Sequence, residues 1–241
     1  MNAIKSLILA VVFLFNTVGF SSLVNAAPVS GQGTWETTLS ARSLDGNNTT
    51  AEAYYDSVLD ITWLKDANVN GLMTWANANT WASSLVMDVY TNWRLPDTVD
   101  TGTVGCNFSN NGTDCGYNVA TSTGEMASMF YDTLGDLASL NTAGLSQAGS
   151  GLTNTGPFSN IQAGPYWSAT ENAGNLAKAW SFVTANGLQS VGDKSTSRYS
   201  WAVHSGDVGV AVVPEPSPAL LFASGLLALV VLVKRKAHLR T

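Results

Sequence analysis

Catalytic chemistry has few candidate residues in this chain of 241 residues. Between the two apolar ends, His204 is the single histidine, so a Ser-His-Asp arrangement would depend on it alone, and the sequence has no G-x-S-x-G motif to present a serine. Acid pairs such as Asp56 with Asp60, or Asp97 with Asp100, have spacings that a chain rich in acids produces by chance. We therefore expect no catalytic residues, and a hydrolase is the least favoured alternative.

The two cysteines, Cys106 and Cys115, enclose a short loop that is mostly polar. In an exported protein, which the chain ends below predict, such a pair indicates a disulfide. A metal site is the alternative, but the sequence offers neither a nearby histidine nor a second cysteine pair. We expect a disulfide that restrains one local loop, we assign no metal-ligating residue, and we expect no cofactor.

The last part of the chain, residues 208–241, has three segments in order. Pro214, Glu215 and Pro216 lead into an uncharged apolar run and then into three basic residues. The run could form a marginal membrane helix at about 218–233, with the basic end in the cytoplasm. This arrangement resembles the PEP-CTERM sorting signal. The resemblance implies an exosortase-type processing enzyme as partner, transient anchoring in the inner membrane, and then a place at the cell surface or in an exopolysaccharide matrix.

The start of the chain agrees with export. Lys5 precedes an apolar stretch, and Val24, Asn25 and Ala26 form a small-residue cleavage site of the kind that signal peptidase cuts. Residues 1–26 are therefore predicted to be a signal peptide.

Between these ends lies one domain's length of chain. Residues 27–213 carry 16 acidic and 6 basic side chains, a net charge of −10. Because phosphate binding needs a basic surface, we expect no nucleic-acid partner.

Hydrophobic spacing predicts the elements of this domain. Residues 27–52 have little periodicity and are an extended arm or a first strand, and Tyr54–Leu64 is two short strands or one bent strand. A helix is predicted from Thr74 to about Val86, and a second from Glu125, where apolar residues recur at helical spacing. The apolar residues of the second helix are Met126, Met129, Phe130, Leu134 and Leu137.

Four more strands are predicted nearer the C-terminus. One lies at 166–170, two form a hairpin over 179–191 that turns at Asn186-Gly187, and one lies at 198–205. These elements indicate an α+β fold.

Several ordered motifs carry a resemblance to a known family. They are Ile61-Thr62-Trp63-Leu64, Met73-Thr74-Trp75, Asn92-Trp93-Arg94-Leu95-Pro96, Tyr166-Trp167-Ser168 and Trp201-Ala202-Val203. Over residues 53–207 the chain resembles the Lcl C-terminal domain family, which is similar to C-type-lectin-like domains. The resemblance implies two helices, a small antiparallel sheet and long loops that present ligands. The family usually has Arg where this chain has His204.

We predict structural roles for residues of the Trp-Arg-Leu-Pro motif and for the sheet tryptophans. Arg94 is predicted to pair with an interior carboxylate, and Trp167, Trp180 and Trp201 are predicted to pack in the core. The calcium-dependent sugar motifs of C-type lectins are not in the sequence, so calcium-mediated sugar binding is not carried over. Whether an acidic, Asn-rich surface binds calcium in another way is left open.

Polar loops between the strands are the expected place for a ligand. They include 140–165, a long Gly-, Ser- and Asn-rich stretch, and the two turns that hold Glu171, Asn172, Asn175 and Asp193, which we take as candidate ligand-binding residues. We expect a non-enzymatic adhesion or polysaccharide-binding module of the cell surface or matrix. The alternative is a structural matrix protein without a discrete ligand site.

Replacing Pro214, Glu215 and Pro216 together by Ala tests the sorting motif. We expect the variant to be retained in the inner membrane, because the processing enzyme no longer recognises the tail. Membrane fractionation measures its distribution, and a mature surface form in wild-type amount would contradict the prediction.

Overall fold

The protein is described by a computed structural model that covers residues 32–102, 106 and 114–212. The predicted signal peptide, the Pro214-Glu215-Pro216 motif and the apolar run at 218–233 lie outside these ranges. Within them, no helix is both long and apolar enough to cross a membrane.

The described part of the chain contains eight strands and a few short helices. The strands are β1 (Leu39–Ser43), β2 (Ala53–Asp56), β3 (Ile61–Leu64), β4 (Pro165–Glu171), β5 (Lys178–Val183), β6 (Leu188–Asp193), β7 (Val203–Ser205) and β8 (Val210–Ala211). The α-helices are α1 (Trp35–Thr38), α2 (Trp75–Ser84) and α3 (Glu125–Ser128). A 3-10 turn (Thr121–Thr123) precedes α3, and a π-helical turn (Met129–Thr133) continues it.

The strands form two antiparallel sheets, whereas the family resemblance implied one small antiparallel sheet. The first has the order β7-β3-β2-β1-β8 and the second the order β4-β5-β6. The difference arises at residues 198–205, which were predicted to form one strand but form a strand only at β7. The first part of this segment pairs with the second sheet at Tyr199, whereas β7 pairs with β3 of the first sheet. One short segment cannot stay regular while it bonds to both.

The central strand of the first sheet, β3, is buried along its whole length. Of the two arrangements open for Tyr54–Leu64, the structure has two strands joined by a tight turn. Asp56 forms this turn because its Oδ1 accepts hydrogen bonds from the amides of Val58 (2.9 Å) and Leu59 (3.3 Å). Burial raises the pKa of Asp56, and these hydrogen bonds oppose the rise.

The hairpin of β5 and β6 turns at Asn186-Gly187, as predicted. Gly187 has a φ of +76°, and a Cβ there would lie 2.8 Å from the Tyr131 hydroxyl. That hydroxyl donates to the Gly187 carbonyl. Burial raises the pKa of Tyr131 to about 12, so the phenol remains a donor and ties the hairpin to the π-helical turn.

The first predicted helix is α2, which begins after Thr74 and ends two residues earlier than expected. Ala78 and Ala82 are buried on its inner face, where they pack with Leu95 and Trp167. Small alanine side chains allow the helix to approach the second sheet closely.

The second predicted helix begins at Glu125, and its first four apolar residues are buried as expected. The fifth, Leu137, is 46% exposed, so that part of the prediction is wrong. Helical geometry ends at Thr133, and Gly135 has a φ of +70°. The 3.6-residue period therefore does not continue to Leu137.

The long segment from Leu134 to Gly164 has no regular strand or helix, yet its backbone is fixed by side chains. Asp136 is buried, and its Oδ1 accepts bonds from Thr153 N (3.0 Å), Thr153 Oγ1 (2.7 Å) and Asn154 N (2.9 Å). Asn154 in turn donates to the Leu134 carbonyl at 2.6 Å. These bonds replace the backbone pairing that a strand would supply.

Arg94 pairs with the carboxylate of Glu125, which confirms the predicted ion pair. The two guanidinium nitrogens Nη1 and Nη2 lie 2.7 Å from Oε2 and Oε1, a bidentate arrangement. Glu125 Oε2 also accepts the amide of Asp97 at 2.8 Å. The pair joins the segment after α2 to the start of α3.

The Cys106–Cys115 disulfide is present, as predicted, with the two Cα atoms 4.7 Å apart. The loop end is also held without it, because Gly116 and Gln189 exchange two backbone hydrogen bonds of 2.9 and 3.0 Å. The Gln189 side chain donates to the Asp114 carbonyl at 2.7 Å. The disulfide therefore restrains the loop that precedes this anchor.

Glu125→Gln tests the bidentate pair. We expect the free energy of unfolding to fall by about 1 to 3 kcal/mol, because Arg94 and the Asp97 amide lose a charged acceptor. Urea denaturation measures the change. Asp193→Asn is the control, since it removes an exposed ion pair with Lys178 that solvent screens. The free energy of unfolding should fall clearly less in this variant than in Glu125→Gln. Equal losses in the two variants would contradict the role given to Glu125.

Cys106→Ser tests how local the disulfide is. We expect a loss of about 2 to 3 kcal/mol from the added entropy of the unfolded chain, with cooperative unfolding retained. Near-ultraviolet circular dichroism and urea denaturation follow it, and collapse of the whole fold would show that the anchor at Gly116 is insufficient.

Candidate functional site

A pocket with a volume of about 290 Å³ opens beside the disulfide, between the second sheet and the β4–β5 turn. Strand β5 contributes Lys178 and Trp180, and β6 contributes Val191. The remaining lining residues are Asp100, Gly102, Cys106, Cys115, Asn172, Gly174 and Asn175. Three separate parts of the chain thus meet around this space.

Asp100 organises the inner wall of the pocket. Its Oδ2 accepts bonds from Ala173 N (2.7 Å) and Trp180 Nε1 (3.0 Å), and its Oδ1 accepts the amide of Gly102 (2.9 Å). Burial raises the pKa of Asp100, but these three hydrogen bonds outweigh it and hold the pKa below its usual value. A negative charge is therefore fixed at this wall.

Lys178 supplies the cation of the pocket. Its Nζ lies 2.7 Å from Oδ1 of Asp193, and the hydrogen bond and charge of Lys178 lower the pKa of that carboxyl. Asp193 itself does not line the pocket, but its ion pair positions Lys178, which is a lining residue.

Asn172 and Asn175 lie in the turn between β4 and β5 and line the same pocket. Asn172 Nδ2 is 3.5 Å from Asp100 Oδ2, and Asn175 Oδ1 accepts the amide of Ala177 at 3.0 Å. The Asn175 side chain is exposed. Both carboxamides therefore have hydrogen-bonding capacity left for a ligand.

Glu171, the fourth predicted ligand residue, does not line the pocket. Its carboxylate pairs with Lys194, whose ammonium group lies 4.3 Å from the centre of the Trp75 ring. The loop at 140–165, expected to belong to the ligand face, contributes no lining residue either.

The three sheet tryptophans are buried, as predicted. Trp167, Trp180 and Trp201 are each at most 2% exposed. Trp180 borders the pocket, but its indole N–H is committed to Asp100. A ligand in the pocket thus meets polar groups rather than an open aromatic face.

His204 belongs to a different part of the fold. Its Nδ1 is 2.6 Å from the Ser205 carbonyl, and its ring meets the Trp93 ring edge-on at 5.5 Å. These contacts give the histidine a packing role. Among residues 32–102, 106 and 114–212, no group of three or more His, Cys, Asp or Glu side chains could hold a metal ion.

Sequence reasoning missed Asp100 and Lys178 as pocket residues. Asp100 meets Ala173 and Trp180 across separations of 73 and 80 residues, which no local pattern encodes. Together, one carboxylate, one ammonium group and two carboxamides can hydrogen-bond a hydroxyl-rich ligand.

Comparison with protein families gives one match. The model of the Lcl C-terminal domain family covers residues 52–204, which is more than half of the chain. The match includes β2 to β6, the first two residues of β7 and every residue that lines the pocket, whereas β1 and β8 lie outside it. A search of curated proteins finds no match. The chain belongs to the Lcl C-terminal domain family.

Proposed function

We propose that this protein is a non-enzymatic adhesion module that binds an extracellular polysaccharide in the pocket lined by Asn172, Asn175 and Lys178. The observation that carries the proposal is the pocket itself. It combines apolar lining side chains such as Val191 with a few converging polar groups, which is the usual composition of small-molecule sites.

Charge favours a neutral or weakly basic glycan. Asp100 keeps its negative charge, and Asp193 offsets the single ammonium group of Lys178. Hydroxyl groups can accept from the amide nitrogens and donate to the carboxylate and amide oxygens. Because no aromatic face is open among the lining residues, each site should bind weakly, and many copies at a surface would be needed for firm attachment.

Location supports the same role. The chain ends resemble a signal peptide and a PEP-CTERM signal, and family membership suits a secreted or surface-associated domain. We propose export, transient anchoring in the inner membrane through residues 218–233, processing by an exosortase-type enzyme, and residence at the surface or in the matrix. We also propose that the two sheets and the long loops are arranged as in C-type-lectin-like domains.

The test is retention of the purified protein on the polysaccharide of the producing cells. In the double variant Asn172→Ala with Asn175→Ala we expect retention to fall about tenfold, because roughly two modest hydrogen bonds are lost. Affinity chromatography or surface plasmon resonance measures it.

Two variants serve as controls. Glu171→Ala changes the residue beside Asn172. Because the Glu171 side chain pairs with Lys194 and does not line the pocket, retention should stay at the wild-type value. Asn48→Ala replaces an exposed asparagine far along the chain and should behave the same way. If wild type is not retained at all, the protein is a structural matrix component without a discrete site. If Glu171→Ala loses as much as the double variant, the pocket is the wrong face.

A further inference from the structure

The segment that follows β3 has oxygen-bearing side chains at every second position. It runs Asp66-Ala67-Asn68-Val69-Asn70-Gly71. The twelve-residue calcium loop takes side-chain oxygens from positions 1, 3 and 5, needs Gly at position 6 for a sharp turn, uses the backbone carbonyl of position 7, and ends on a bidentate Glu at position 12. Counted from Asp66, position 7 is Leu72 and position 12 is Asn77, so this segment matches the first part of the loop and lacks the second carboxylate.

The backbone of the segment has the shape that this spacing requires. Residues 67–70 form consecutive turns, and Gly71 has a φ of +68°. A Cβ at Gly71 would meet no atom within 4 Å, so the glycine serves the backbone conformation and not a close contact. Helix α2 then begins at Trp75, position 10 of the count.

An oxygen in the segment lacks a partner. Oδ1 of Asn68 is buried and accepts no hydrogen bond in the described part of the chain, which is costly for a carboxamide oxygen. Asp66 uses Oδ1 to accept from Asn68 N (2.8 Å) and Asn160 Nδ2 (3.1 Å). A cation beside Asn68 Oδ1 would satisfy it.

Both ends of the segment are fixed to the rest of the fold. Ala67 N donates to Ser159 O at 3.0 Å, and Met73 exchanges two backbone bonds with Arg198 at 2.8 and 2.9 Å. A separate cavity of about 280 Å³ borders Asp66 and Val69. None of these residues lines the polysaccharide pocket.

We infer that residues 66–72 bind one calcium ion through side-chain oxygens of Asp66, Asn68 and Asn70 and the carbonyl of Leu72. Calcium fits better than magnesium, because it accepts several neutral oxygen ligands in a flexible arrangement. With a single carboxylate among these ligands the dissociation constant should be about 0.1 to 1 mM, the range of extracellular calcium modules. The ion would join β3 to α2.

Calorimetric titration of the full chain in detergent with calcium chloride tests this inference. We expect one site per chain, and a rise of the melting temperature by about 3 to 6 °C at roughly ten times the dissociation constant. Magnesium chloride at the same concentration should give a smaller rise. Asp66→Asn keeps the size of the side chain and removes its charge, and should weaken binding at least about tenfold.

Two further variants make the outcome decisive. Asn70→Ala alters an exposed side chain, so folding should be unaffected while calcium affinity falls. Asp88→Asn removes an exposed acid outside the segment and should leave affinity unchanged. Absence of binding in wild type, or equal affinity in wild type and Asn70→Ala, would overturn the inference.

Discussion

The architecture depends on the backbone pairing of one late segment, residues 198–205. Arg198 bonds to Met73 in front of α2, Tyr199 bonds to β4, and Val203 exchanges two bonds with Arg94. Strand β7 at its end completes the first sheet. Two sheets and one helix are thus held by eight consecutive residues, and Trp201 between them fills the core against Trp63 at 4.8 Å. Such contacts join residues far apart in sequence, which makes folding slow relative to proteins with local contacts.

The ion pair of Arg94 extends this frame to α3. Because Arg94 bonds to Val203 through its backbone and to Glu125 through its side chain, it links the closing segment to the second predicted helix. The same stretch of chain continues to Asp100 at the pocket wall. The pocket therefore takes its position from the frame rather than from its own loop, and this fits a rigid scaffold that presents polar groups.

Local features were predictable and distant ones were not. The turn at Asn186-Gly187 and most buried positions of the two predicted helices follow from residue type and period, but Leu137 is exposed. Arg94 could be assigned a carboxylate partner, but Glu125, 31 residues away, could not be named. The division into two sheets arises because Tyr199 and Val203 pair in different directions, which alternation alone does not encode. The pocket depends on the hydrogen bond between Asp100 and Trp180. These residues are 80 positions apart in sequence, and no local pattern predicts such a contact.

The side-chain hydrogen bonds of Asp136 and Asn154 bear on resistance to proteases. A stretch of about thirty residues without regular structure is ordinarily where proteases cut. Here its backbone at Thr153, Asn154 and Leu134 is bonded to the side chains of Asp136 and Asn154, so cleavage at these points requires local unfolding first. The exposed tip at 142–146 is directly accessible. A cut there leaves both halves of the stretch attached through their own hydrogen bonds, and the domain keeps its shape after nicking.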